Sequence, residues 1–179
     1  ALAIELKNRM GIDNILMREK QLLKKAFFNL KNIPGIRTLA ENEHDRLAII
    51  SFYHPAIHFN LMVQLLNDKF GIQTRGGCAC AGTYGHFLLE VSHNMSQHIT
   101  DKINHGDLSQ KPGWVRWSMH PTTTDEEVDY ILDAIAQIVK NVDRWKNDYI
   151  YIRKKNEFIH KNLHESGHEF LSTWFDINT

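Results

Sequence analysis

Trp114-Val115-Arg116-Trp117-Ser118-Met119, followed after His120-Pro121 by Thr122-Thr123-Thr124-Asp125-Glu126-Glu127-Val128, carries the clearest folding instructions in the chain. The first six residues alternate. Trp114, Arg116 and Ser118 fall on one face and Val115, Trp117 and Met119 on the other, which is the period of a strand. Thr124 and Glu127 then stand at capping-box spacing, and Asp125 and Glu126 put negative charge at the positive end of a helix. Val128, Ile131, Leu132, Ile135, Ile138, Val139, Val142 and Trp145 continue as the apolar stripe of a helix about five turns long. A strand that feeds a capped amphipathic helix calls for a core with a sheet on one side and helices on the other.

The flanking sequence supplies the other elements. Residues up to Gly11 favour a helix, and Asp13 is placed to cap a second one. That helix carries Ile15, Leu16, Leu22, Leu23, Ala26, Phe27 and Leu30 at three/four spacing, and Pro34-Gly35 ends it. Ile36 to Leu39 and Leu47 to Tyr53 read as strands joined by a polar loop. Ile57, Leu61, Met62, Leu65, Leu66 and Phe70 predict a helix stopped at Gly71, and Ile72 to Thr74 a short strand. A helix capped by Ser92 is expected within Leu88 to Asp107. Tyr149 to Ile152 and Glu157 to His160 suggest a hairpin, with a helix as the alternative. The expected class is α+β: two layers, with a short, mostly antiparallel sheet packed against helices.

The 179 residues fit one domain. Lys and Arg number 21 against 21 Asp and Glu, which argues against a nucleic-acid or membrane partner held by bulk charge. No apolar run approaches the roughly 18 residues that span a bilayer, and the first residues lack the pattern of a signal peptide. Cys78 and Cys80 are the only cysteines, and a disulfide closing so small a ring would be strained. A reducing, cytoplasmic setting is therefore expected. A chain that opens on Ala1 and runs straight into a helix reads as a piece of a longer protein.

Chemistry concentrates in two places. Arg75 to His86 holds an arginine, paired glycines, two thiols, Tyr84 and His86 where a strand gives way to a loop. A thiol attacks as thiolate, and a nearby cation such as Arg75 favours that form. The plainer reading makes Cys78 and Cys80 small apolar fillers beneath a turn. A metal held by Cys78, Cys80 and His86 is the third reading, though common zinc sites put two residues between paired cysteines. The second place is Arg116 in mid-strand, which either reaches for the sheet edge or grips an anion, typically a carboxylate, in two-pronged fashion.

Taken together, Gly71-Ile72-Gln73-Thr74-Arg75-Gly76-Gly77-Cys78-Ala79-Cys80-Ala81-Gly82, Val115-Arg116-Trp117-Ser118 and Thr124 to Asp129 resemble the C-terminal small domain of class V aminotransferases. Ile33-Pro34-Gly35-Ile36 fits the entry into that domain. The branch most similar is that of group II cysteine desulfurases and selenocysteine lyases. The resemblance covers residues 1–148 and leaves 149–179 as a C-terminal extension. It implies a homodimeric pyridoxal-phosphate enzyme acting on a small amino acid. Cys80 would take the substrate's sulfur as a persulfide, Arg116 would grip the α-carboxylate, and Arg75 would line the pocket. The family's cofactor lysine belongs to a large domain that nothing in this chain resembles, so no cofactor-binding residue is assigned here. The fragment alone is expected to be inactive and without bound pyridoxal phosphate. The desulfurase loop commonly has histidine before its cysteine, where Ala79 stands in this chain. A class V transaminase or lyase without persulfide chemistry, and a free-standing binding or thiol-redox module, are the alternatives.

Overall fold

The computed structural model describes residues 2–43, 45–78 and 82–162. The chain opens with helices α1 (Leu2–Met10) and α2 (Ile12–Leu30), then strands β1 (Arg37–Thr38) and β2 (Ile49–Tyr53). Helix α3 (Phe59–Phe70) leads to β3 (Arg75–Gly77), α4 (Gly82–Leu88) and α5 (His93–Asn104). Strand β4 (Trp114–Ser118), helix α6 (Asp125–Trp145) and the hairpin strands β5 (Tyr149–Ile152) and β6 (Glu157–His160) follow. The main sheet runs β1-β2-β4-β3 and every pairing in it is antiparallel.

The period-two pattern decides which face is buried. Ile50 pairs with Trp117 and Phe52 with Val115, and all four point into the core. There they meet Leu22, Ala26 and Leu30 of α2, Met62, Leu65 and Leu66 of α3, and Val128, Ile135 and Ile138 of α6. Three helices thus cover one face of a four-stranded sheet, the two-layer arrangement expected from the sequence. The capping box of α6 is present on both sides: Glu127 N donates to Thr124 Oγ1 at 3.1 Å, and Thr124 N donates to Glu127 Oε2 at 2.7 Å. Ion pairs Arg18–Asp125 and Lys25–Asp129, each 2.8 Å, tie α2 to the first turns of α6.

Two expectations need correcting. Asp13 does not cap α2. That helix begins at Ile12 after Gly11, whose φ of 82° turns the chain from α1, and Asp13 sits in its first turn. Ile72 to Thr74 is not a strand: Ile72 N–H returns to the Leu66 carbonyl to finish the end of α3, and pairing starts only at Arg75. The region after the cysteine loop is helical over α4, a separate element from α5, with Glu90 at φ 54° in the turn between them. Helix α5 is capped by Ser92 as expected, its Oγ accepting from Met95 N at 3.4 Å, with Ile99 buried and Met95 exposed. The tail is the hairpin, with Tyr149 opposite His160 and Ile152 opposite Glu157. Tyr149 is buried in the main core and Phe158 packs against it. Residues 163–179 of the extension lie outside the described residues.

Candidate functional site

The sheet face away from the helices carries the polar chemistry. Arg75 on β3 is the direct partner of Arg116 on β4, and Arg116 in turn faces Ser51 on β2. Directly opposed residues project from the same face with their Cβ atoms about 5 Å apart, and like charges in that position repel. Among the described residues, neither arginine makes an ion pair or a side-chain hydrogen bond, and Arg116 Nε is buried without a partner. A buried donor left unsatisfied costs about 1–3 kcal/mol, more when the group is charged. An anion at this face would meet both guanidinium groups, and a carboxylate matches the fork of a guanidinium.

Apolar residues form the floor beside this pair. Trp114, on the same face as Arg116, packs with Leu39 and Cys78, and Tyr53, Leu88 and Leu89 close around them. Gly77 pairs with Trp114, so the strand presents no side chain where the indole lies. Cys78 is buried, and desolvation pushes its thiol pKa up, with Lys111 opposing. Cys78 packs in this small apolar cluster, the environment that the plainer reading expects for it. Cys80, the predicted nucleophile, lies outside the described residues. His86 Nδ1 is hydrogen-bonded to Ser96 Oγ at 2.6 Å, and no group of three potential metal ligands occurs among the described residues.

Of the three predicted site residues, Arg75 and Arg116 are brought into direct opposition. Ser51 and Trp114 join them, although neither stood out as a site residue in the sequence. Their only signal was strand alternation, and cross-strand register is not written in any single segment. The row Ser51–Arg116–Arg75 and its Trp114 floor include no lysine to form an imine and no carboxylate to face a pyridine nitrogen. These described residues do not fit pyridoxal phosphate as its holder.

Comparison with known proteins identifies the family. The model of the aminotransferase class-V family matches residues 1–131, and the chain belongs to that family. A cysteine desulfurase of Wigglesworthia glossinidia brevipalpis is 34% identical over 79 residues, covering 44% of this chain and 18% of the relative. The fold resembles the apo cysteine desulfurase of Thermococcus onnurineus NA1, with a TM-score of 0.53 and 21% identity over 75% of this chain and 28% of that one. The chain therefore spans less than a third of the length of either relative. No helix among the described residues is long and apolar enough to cross a membrane.

Proposed function

We propose that this chain supplies the substrate-carboxylate grip and the thiol loop of a pyridoxal-phosphate-dependent enzyme of the cysteine desulfurase type. The observation that carries the reading is the Arg75–Arg116 opposition, with Arg116 Nε buried and unpartnered. In this reading Arg116 binds the α-carboxylate of a small amino acid and Arg75 adds positive charge at the pocket wall. Cys80, two residues beyond the buried Cys78, accepts the sulfur. Pyridoxal phosphate, when bound, serves as the electron sink, and its lysine is contributed from outside this chain. The family match and the desulfurase relative support the reading.

The test uses the full-length protein that contains this chain, assayed for alanine and sulfide released from cysteine. Arg116→Lys keeps the charge but loses the two-pronged geometry, and kcat/KM should fall about 10- to 100-fold. Unaltered kinetics would remove Arg116 from the substrate site. With a dithiol present to reduce the persulfide, Cys80→Ala should abolish sulfide release; retained desulfuration would remove the persulfide role from Cys80, leave the carboxylate grip standing and point to a lyase that cleaves the carbon–sulfur bond without it.

A further inference from the structure

The hairpin β5–β6 lies beyond residue 131, where the family match ends, yet its turn touches helix α3, which packs on β3, and the loop that leads to β4. Helix α3 packs against β3 and also against β6. The link is Asn60, in the first turn of α3. Its Nδ2 donates to the backbone carbonyl of Asn156 in the hairpin turn. Its Oδ1 lies only 2.7 Å from where a Cβ on Gly76 would stand, with Phe59 Cδ2 and Val63 Cγ2 at 3.1 Å. Position 76 thus admits glycine alone unless Asn60 moves, and Gly76 is the residue between Arg75 and Gly77.

The turn itself is firmly held. Asn156 is 7% exposed, adopts a left-handed φ of 57°, and its Oδ1 accepts a hydrogen bond from Tyr151 Oη at 2.7 Å. The carbonyl of Arg153 accepts from Leu108 N at 3.2 Å, at the stem of the segment that enters β4 through Gly113. A Cβ on Gly113 would meet the Phe59 ring at 2.5 Å, so that entry is pressed against the same helix start. One turn therefore contacts the approach to β4 directly and β3 through Asn60.

The geometry points to the C-terminal hairpin as a positioning element that sets the placement of Arg75 against Arg116, with Asn60 as the positioning residue that transmits it. This inference rests on the reading of these arginines as a carboxylate grip. It assigns a task to the extension: the loss of contact at Asn156 should be felt at Gly76, and a disturbance at Gly76 should be felt at Asn156, since coupling is reciprocal.

The experiment records amide and arginine Nε–H resonances of the 179-residue chain, with sodium acetate as the carboxylate probe at constant ionic strength. Asn60→Asp removes the donor to Asn156 while keeping the side chain's shape. It should shift the Gly76 and Gly77 amides and weaken the acetate response at Arg116 Nε–H several-fold, leaving the Leu22 and Ile135 amides in place. Gly76→Ala, approached from the other end, should shift the Asn156 and Leu108 amides. A fall in acetate affinity with an undisturbed core is a change that a purely structural role would not produce. The inference is overturned if Asn60→Asp moves Asn156 and leaves Gly76 and Gly77 where they were, or if Gly76→Ala stays local. Should Asn60→Asp not fold, Asn60→Ser shortens the bridge without adding charge and is read in the same way. Loss of the core signals in both Asn60 variants would also reject the inference in favour of a general structural role. If Arg116 ignores acetate in the unaltered chain, the carboxylate reading fails, and the reciprocal shifts alone still decide the coupling.

Discussion

His58 shows how one side chain can serve a helix end, an aromatic cluster and a pH response together. Its Nδ1 accepts the Asn60 N–H at 3.1 Å as the N-cap of α3, which requires that nitrogen to be unprotonated. The ring stacks on Phe59 with centroids 4.6 Å apart and lies against Tyr151 and Phe158 of the hairpin. Burial lowers its pKa below the ordinary 6.5, with Asn156 opposing. The folded state therefore binds this proton less readily than the unfolded chain does. The stabilisation is complete above pH 6.5 and is lost as the pH falls below it. The melting temperature should drop between pH 7 and pH 5, and His58→Asn, which still caps, should flatten that slope. Burial lowers the His54 pKa as well, so some slope should remain in the variant. Parallel melting curves for the two proteins across that range would show that His58 is not the titrating group.

Among the elements, α6 and β3 mark the two ends of legibility. The start of α6 is written within four residues, because a capping box satisfies backbone donors locally. Thr124→Ala should cost about 1 kcal/mol, read as a lower denaturant midpoint with an unchanged slope. No shift in the midpoint would mean that the Arg18 and Lys25 ion pairs to Asp125 and Asp129 hold the first turn without the cap. β3 is the contrary case. Gly76 and Gly77 disfavour a strand, and Ile72 to Thr74 look better suited to one. The strand forms at Arg75–Gly77 because Val115 and Trp114, about forty residues later, provide the partners, and glycine at 76 lets α3 pack closely against it. Neither β4 nor α3 is local to the segment.

At the scale of the whole molecule, the apolar surface is unevenly distributed. No residue of α1 is buried, and Leu2, Ile4 and Leu6 are exposed along it. Ile12, Leu16, Met17 and Phe28 extend that surface along α2. Exposed apolar residues gathered in this way favour association in water. The 179-residue chain should elute from gel filtration larger than a monomer, with a concentration dependence that Ile4→Glu with Leu6→Glu suppresses. A monomer at every concentration would show that this surface is tolerated in water.

The sequence by itself determined the class and the elements other than β3 and α4, because helix stripes, caps and strand alternation depend on neighbours within a few residues. It also picked out Arg75 and Arg116 as the residues worth following. Only the tertiary structure decided that the two stand opposite each other with Ser51 beside them, that Cys78 is buried, and that the hairpin turn is bonded to Asn60 of α3. Register and burial arise from contacts between segments far apart in the chain, and those contacts exist only once the sheet and its helices close on one core.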